Sequence, residues 1–172
     1  MKKTTEKPMR IILATLLFLV GIVANAQGAA NGSKLSWGIR GGLTFAPTNW
    51  DDTDVKVFPT VGLAASCCLA KTPLRLESGL YYTNRYVYDY NNHSLLLPVL
   101  VSVGITAKDD ATINPFVGPF VAYGFNEDDI DGGLRIGIEY RRKKLRVNFG
   151  YDLSMTYGVD EDALFLCVGY DF

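Results

Sequence analysis

The 172-residue sequence predicts an all-β fold, an eight-stranded antiparallel up-and-down transmembrane β-barrel preceded by a cleaved signal peptide. Three observations predict it. Apolar residues alternate with polar residues or glycine in eight successive stretches. The charged residues of these stretches, and nearly all of their glycines, fall on one of the two faces. The N-terminal segment has the basic start, apolar run and small-residue ending of an export signal.

The export signal accounts for the first 26 residues. Its basic start carries Lys2, Lys3, Lys7 and Arg10. The apolar run at 11–23 has only 13 residues, which is too short to cross a membrane as a helix. Because Ala24-Asn25-Ala26 has the small-x-small pattern of a cleavage site, we expect cleavage near Ala26. Residues 1–26 are then the signal peptide, and residues 27–172 form one outer-membrane β-barrel domain.

The period-two alternation is clearest in the first strand. Its apolar positions are Leu35, Trp37, Ile39, Leu43 and Phe45, and polar residues or glycine occupy most positions between them. Successive side chains of a strand point to opposite sides of the sheet, so this pattern separates an apolar face from a polar one. The same alternation predicts strands near 34–46, 56–70, 73–84, 93–105, 112–124, 132–141, 144–154 and 162–172.

The connections between these strands alternate in length. Three are short, at 71–72, 107–111 and 141–144, and four are longer and acidic or tyrosine-rich, at 46–55, 85–92, 126–131 and 155–161. Outer-membrane barrels have short periplasmic turns and longer outer loops, so we expect the long connections outside the cell. Because proline lacks a backbone donor for the ladder, we also expect bulges near Gly118 and Pro119.

Glycine indicates which face is the interior. Eleven strand glycines share the charged face, and only Gly41 is assigned to the apolar face. An eight-stranded barrel is just wide enough for side chains to fill it, so interior glycines make room for large neighbours. The predicted polar network of the lumen comprises Arg40, Arg75, Glu77, Arg135, Glu139, Arg146 and Asp152. Phe58, Tyr81, Phe116, Phe120 and Phe165 are expected to fill the rest. We therefore expect no pore.

The register of one hairpin predicts how two lumen pairs meet. If the basic turn at 141–144 is a tight hairpin centred on its middle two residues, Glu139 faces Arg146 directly. In the same register, Arg135 lies diagonal to Asp152. Opposite charges placed together in this way avoid the cost of burying an unpaired charge.

Outward aromatic residues lie near the strand ends. The predicted membrane-interface aromatics are Trp37, Phe45, Tyr82, Tyr123, Tyr140, Tyr151, Tyr170 and Phe172. Two bands of aromatic residues, one at each end of the strands, are typical of membrane barrels. We therefore expect outer-membrane lipid to surround the barrel.

Several motifs together resemble the PorT-like outer-membrane β-barrel family. They are 38–44 (GIRGGLT), 77–82 (ESGLYY), 96–100 (LLPVL), 115–120 (PFVGPF), 137–140 (GIEY), 148–151 (NFGY) and 168–172 (VGYDF). The resemblance spans essentially the whole mature chain in order. It implies a barrel in the bacterial outer membrane, inserted by the barrel-assembly machinery through a C-terminal strand ending in an aromatic residue, here Phe172. It implies no specific activity.

Charge and cysteine usage exclude several function classes. Beyond the signal segment the chain carries 13 Lys and Arg against 17 Asp and Glu, so nothing suggests a nucleic-acid partner. Cys67, Cys68 and Cys167 have no disulfide or metal spacing, and we interpret them as small buried hydrophobic residues. We predict no cofactor, no metal site and no catalytic residue.

The predicted role is that of a structural or interaction component of the bacterial envelope. An envelope protein partner could bind through the extracellular loops, whose acidic residues could alternatively bind divalent cations or simply be solvated. One alternative is a soluble exported barrel that binds a small hydrophobic ligand. Another is an outer-membrane lipid-modifying enzyme that uses His93, but its neighbour Ser94 should point to the opposite face of the strand.

Overall fold

The computed structural model describes residues 35–47, 55–69, 72–87, 90–107, 110–126, 129–156 and 162–172. The predicted signal peptide and its cleavage site lie outside these ranges. The strands are β1 (Leu35–Pro47), β2 (Val55–Cys68), β3 (Leu74–Val87), β4 (Tyr90–Val103), β5 (Ile105–Thr106), β6 (Ala111–Gly124), β7 (Asp129–Arg142), β8 (Leu145–Ser154) and β9 (Ala163–Asp171). No helix in the described part of the chain is long and apolar enough to cross a membrane.

The strands close into an antiparallel up-and-down barrel. Consecutive strands pair with one another, except that β4 pairs with β6, and β9 pairs with β1 to close the sheet. The short β5 continues β4 after a break at Gly104, because both pair with β6 in one unshifted register. Eight strand positions therefore surround the lumen, which confirms the predicted fold class.

The two ends of the barrel differ. The end that contains the tight turn between β7 and β8 is called the turn end, and the opposite end is called the loop end. At the turn end, Arg142 pairs with Leu145, and Lys143 has a left-handed backbone with φ of 54°. This two-residue turn is one residue later than the predicted hairpin centre, which changes every cross-strand pair of the hairpin.

The charged face is the interior, as the glycines predicted. Arg40, Arg135 and Arg146 are all buried, whereas Trp37 and Leu63 on the other face are about 60% exposed (56% and 63%). All five aromatic residues expected as interior bulk are buried as well. The interior is therefore not the apolar cavity that the soluble alternative would need for its hydrophobic ligand.

Glycine was less exclusive to the interior than the sequence suggested. Gly132 lies on the outer face beside Val121, so Gly41 is one of two outward strand glycines. At an interior glycine, by contrast, there is no room for a side chain. A Cβ added to Gly42 would overlap the carbonyl oxygen of Leu166, and its backbone contacts leave no room to shift.

Two predicted loops are instead extensions of hairpins. The segment predicted as the loop 85–92 pairs as ladder from Arg85 with Asn92 to Val87 with Tyr90. In the segment 126–131, β7 already begins at Asp129.

The predicted bulges near Gly118 and Pro119 are also absent from the described ladders. The ladder between β4 and β6 is interrupted there but resumes in the same register, because proline removes a donor without inserting a residue.

Candidate functional site: the charged interior

Nine charged side chains are buried inside the barrel: Arg40, Glu77, Arg85, Asp131, Arg135, Glu139, Arg146, Asp152 and Asp171. They form three groups at successive heights between the turn end and the loop end. Burial of a charge is costly unless a partner and hydrogen bonds compensate it. The partners of each group therefore decide whether this interior is a stable plug.

Arg146 is the centre of the lower group, near the turn end. Its Nη1 donates to Glu77 Oε2 at 2.6 Å and to Glu139 Oε2 at 3.0 Å. Its Nε donates to Asp171 Oδ2 at 2.7 Å, and its Nη2 donates to the same oxygen and to Ser66 Oγ at 2.9 Å. This guanidinium, with no exposed surface, thus connects β8 to β2, β3, β7 and β9.

Two further arginines balance the acids of the lower group. Arg40 Nη2 lies 3.1 Å from Asp171 Oδ1 and 3.7 Å from Glu77 Oε2. Arg141 Nη2 donates to Asp171 Oδ2 at 3.1 Å. Together with Arg146 these arginines match the three carboxylates of Glu77, Glu139 and Asp171 in number. Arg141 is only partly buried, so it compensates the acids from the edge of the group, where opposite charges then match.

The middle group is a single ion pair held among aromatic rings. Arg135 Nε and Nη2 donate to the two oxygens of Asp152 at 2.6 and 2.7 Å, a bidentate geometry. The guanidinium carbon lies 4.2 Å from the ring centroid of Phe165 and 5.5 Å from that of Tyr81. The cation therefore has a carboxylate on its edge and aromatic rings at its face.

The upper group closes the interior toward the loop end. Arg85 Nη1 donates to Asp131 Oδ2 at 2.5 Å, and Ser154 Oγ donates to Asp131 Oδ1 at 2.8 Å. The guanidinium carbon of Arg85 lies 4.9 Å from the ring centroid of Phe120. These contacts connect β3, β6, β7 and β8.

A cluster of threonine hydroxyls adds polar contacts that are independent of charge. Thr44 Oγ1 lies 2.6 Å from Thr60 Oγ1, which lies 2.7 Å from Thr83 Oγ1. The third side of the triangle, from Thr44 to Thr83, is 3.1 Å. Each hydroxyl can donate and accept, so the three side chains satisfy one another in the interior.

The hairpin register changes the predicted lumen pairs. Arg135 lies directly opposite Asp152, whereas the sequence placed it diagonally. Glu139 lies opposite Asn148 and reaches Arg146 diagonally, so the predicted direct pair is wrong although the two side chains do meet. Both differences come from the turn, because moving its centre by one residue shifts each opposite pair by two.

Arg75 does not join the acidic partners expected for it. It is only partly buried, at the turn end, where Nη1 donates to Ser66 Oγ at 3.4 Å and Nη2 to Cys68 Sγ at 3.4 Å. Cys68 is also only partly buried, while Cys67 and Cys167 are buried as expected, and all three are free thiols.

Three charged residues of the interior were missed by the sequence analysis. Arg85 and Asp131 were assigned to loops, and Asp171 was left out of the lumen network. The signal that could have found them is parity. Asp171 is two residues beyond Gly169, and Arg85 is four residues beyond Tyr81. An even separation places both residues of each pair on the same face of a strand.

The predicted interface aromatics all lie on the outer face or at its ends. Trp37, Tyr82, Tyr140, Tyr170 and Phe172 are exposed, and Phe45, Tyr123 and Tyr151 are partly exposed. Tyr170 and Phe172 pack edge to face with ring centroids 5.9 Å apart. Phe172 also donates its backbone N–H to Trp37 O at 2.8 Å, which joins the chain end to the first strand.

His93 and Ser94 point to opposite sides of β4. His93 Nδ1 lies 2.7 Å from Tyr82 Oη, and the two rings stack on the outer face. Ser94 is 1% exposed, on the interior face. The two side chains therefore do not form a pair, and His93 is held by a tyrosine hydroxyl.

Most acidic residues of the long loops, at 51–54, 127–128 and 160–161, lie outside the described ranges, as does the tyrosine at 88. The side chains of the tyrosines at 86 and 90 are not described either. Two acidic residues of this set are involved in internal contacts. Asp131 pairs with Arg85 inside the barrel, and Asp162 accepts hydrogen bonds from Tyr151 Oη at 2.8 Å and Ser154 N at 2.7 Å. Within the described part of the chain, no group of His, Cys, Asp or Glu could hold a metal ion.

Comparisons with known proteins agree with this architecture. Neisserial surface protein A (NspA) superposes with a TM-score of 0.51 at 11% identity, covering 83% of this chain and 100% of that one. This is the fold of a small outer-membrane β-barrel. Ail, the attachment invasion locus protein of Yersinia pestis, gives a TM-score of 0.49 at 12% identity, covering 82% and 99%. No protein-family model matches the sequence, and no curated protein matches it.

The chemical consequence of the three groups is a filled lumen. The arginines and carboxylates are satisfied mainly by one another, and aromatic rings occupy the space between them. The geometry supports rigid closure of the barrel more than binding of a ligand inside it, because the buried charges already have partners.

Proposed function

We propose that this protein is a small β-barrel of the bacterial outer membrane with a structural or interaction role in the envelope. The observation that carries the proposal is the inverted distribution of polarity, with charges buried inside and large apolar side chains exposed around the outside. In water such a surface would promote aggregation, whereas in a bilayer it meets a matching solvent. The fold of NspA, whose name describes a surface protein, supports the same placement.

The protein is proposed to act without conducting ions. Arg40, Arg85 and Arg146 are among the most completely buried side chains, and each forms an ion pair with a carboxylate on a strand that does not pair with its own. An open pore would require lumen residues in contact with water, as in barrels of many more strands. The proposal includes no catalytic role, because the imidazole of His93 is hydrogen-bonded to Tyr82 on the outer face of the barrel, where the described part of the chain gives it no catalytic partner.

The finer parts of the proposal come from the sequence. We propose membership of the PorT-like family, export with cleavage near Ala26, and insertion by the barrel-assembly machinery through the C-terminal strand. Pairing of β9 with β1 and the contact of Phe172 with Trp37 support the last point, since this seam closes the barrel. Lipid would cover the wall of the barrel, so any envelope partner would bind through the extracellular loops.

Gel mobility and conductance test the proposal together. Protein from isolated outer membranes should migrate faster unboiled than boiled, and it should produce no channel steps in planar bilayers. A closed barrel resists unfolding by detergent until it is heated, which gives the mobility shift. Soluble periplasmic protein without a shift would contradict the membrane placement, and stable conductance steps would contradict the closed lumen.

A further inference from the structure

A shallow groove crosses the outer wall of the barrel. It has a volume of about 610 Å³ and is lined almost entirely by apolar surface. Its floor is the backbone of one row of cross-strand partners, in which Arg40 pairs with Gly169 on one side and Gly62 on the other. The side chain of Arg40 points inward, so only backbone faces the groove here. We call this feature the wall groove.

The walls of the wall groove are two rows of outward side chains. One row consists of the cross-strand neighbours Tyr170, Ile39 and Leu63. The other row consists of Val168, Gly41 and Val61, and it lies nearer the loop end. The rows are two residues apart along each strand, or about 7 Å. This spacing joins the centres of the two rows, so the flanking side chains narrow the groove except at Gly41, which has no side chain. Neither row contributes a charged side chain.

Gly41 leaves a gap in one row of the wall groove. A Cβ placed there would have a single neighbour, Thr60 O at 4.0 Å, so the position opens directly to the outside. The flanking partners Val168 and Val61 carry ordinary apolar side chains. A larger residue at Gly41 would therefore fill the groove without disturbing the interior.

A lysine lies at the turn end of the wall groove. Leu145 and Tyr170 line that end, and Lys144 Nζ lies 5.6 Å from the ring centroid of Tyr170. The Lys144 carbonyl accepts a hydrogen bond from Asp171 N at 2.9 Å, which ties the turn to β9. The ammonium group is thus held beside an aromatic ring where the apolar groove begins. At the loop end of the groove, Tyr82 and Leu95 are lining residues, and the side chain hydrogen-bonded to Tyr82 is the imidazole of His93 rather than a lysine or arginine.

We propose that the wall groove is a binding site for one phospholipid with an anionic headgroup. One acyl chain lies obliquely between the two rows and over Gly41, and the headgroup phosphate contacts Lys144. This inference rests on the proposed membrane placement, in which the turn end faces the periplasmic leaflet. Charge decides the orientation, because the cation lies at one end of an apolar groove and anionic headgroups are attracted to such a residue.

Native mass spectrometry of the purified protein, with equal phosphatidylglycerol and phosphatidylcholine of identical chains, tests the site. The wild-type protein should retain one phosphatidylglycerol in preference to phosphatidylcholine by about fivefold. Gly41→Leu should lower the single-lipid adduct at least about tenfold for both lipids, because the chain loses its groove. Lys144→Gln should abolish the preference while leaving chain binding.

Matched variants separate this site from general lipid adhesion. Gly132→Leu fills the other outward glycine, where a Cβ lies in ordinary contact 3.7 Å from Phe120 O, and Lys143→Asn removes the same charge from the same turn. Both should bind lipid as the wild type does. Wild-type adducts in Gly41→Leu, or an unchanged preference in Lys144→Gln, would overturn the site. In a second mixture that also contains lipid A, preferential retention of lipid A would overturn the site as well, because it would place the headgroup at the loop end.

The heat shift of the same preparations distinguishes the two proposals. Wild-type protein that shows the shift but no selective adduct contradicts the lipid site alone. Wild-type protein without a heat shift contradicts the membrane placement itself. Gly41→Leu should retain the shift, which shows that its lost adduct is not a loss of folding.

Discussion

At the scale of single residues, Arg146 shows why the interior charges depend on one another. Its guanidinium has carboxylates of Glu77, Glu139 and Asp171 within hydrogen-bond distance and no exposed surface. In such a site each charge compensates the desolvation of the others, so the cluster is costly to dismantle one member at a time. The net stabilisation relative to an apolar interior is a separate quantity, and it can be near zero.

Replacing Arg146 by methionine should destabilise the barrel strongly. The variant keeps the volume of the side chain but leaves the three carboxylates short of a cation, and we expect a loss of about 3–5 kcal/mol. The midpoint of urea unfolding in phospholipid vesicles, followed by the heat-dependent gel shift, measures it. Adding Glu77→Gln to the variant should recover part of the loss, since the two residues share one network.

A matched arginine on the same hairpin provides the control. Arg142 is exposed at the turn end, and Arg142→Met should change the free energy of unfolding by less than about 0.5 kcal/mol. If Arg146→Met unfolded at the same urea concentration as the wild type, the cluster could not be what holds the lower interior together.

At the scale of the strand, two adjacent glycines in β1 have opposite surroundings. Gly41 faces outward, where a Cβ meets open space, and Gly42 faces inward against the backbone of Leu166 and Cys167. The period of two thus places one residue in a groove on the wall and the next against the backbone of the paired strand β9. The same substitution should therefore have different effects at the two positions.

Gly41→Val and Gly42→Val test this difference in a matched pair. Gly42→Val should cost about 3 kcal/mol, because the neighbouring backbone cannot move away from the added methyl groups. Gly41→Val should change stability by less than about 1 kcal/mol, since valine suits an outward strand position. Urea midpoints and the fraction of the heat-shifted form measure both. Equal losses in the two variants would show that the faces of β1 are assigned wrongly.

At the scale of the whole molecule, closure of the barrel gives it two unlike ends. The turn end carries the exposed basic turn with Lys143, and the loop end includes Met155, which is 63% exposed after β8. In a membrane these ends face different compartments. Short turns are typical of the periplasmic side, so the proposed orientation places Lys143 in the periplasm and Met155 outside the cell.

Site-directed labelling measures this orientation. With the three native cysteines replaced by alanine, Met155→Cys should react with a membrane-impermeant maleimide in intact cells. Lys143→Cys should react only after the outer membrane is permeabilised, because the reagent cannot otherwise reach the periplasm. The reverse pattern would invert the barrel, and labelling of both positions in intact cells would contradict a spanning orientation.

The faces of the strands were predictable from the sequence because side-chain direction alternates locally. The positions of Arg40, Arg135 and Asp152 on the interior face follow from this alternation alone. Hairpin pairing was less predictable, since it depends on the residues that form the turn. The observed turn, with its positive φ at Lys143, is centred one residue later than the predicted one. Arg135 and Asp152 are direct partners for that reason.

By itself, the sequence determined the strand number, the inward and outward faces and the closed charged interior, because each follows from period-two alternation repeated along the chain. Only the tertiary structure decided which charges meet. Arg146 and Glu77 lie 69 residues apart on strands that do not pair, and Arg85 and Asp131 also meet across the lumen. Such contacts depend on closure of the whole barrel, since curvature brings together side chains that no local pattern connects.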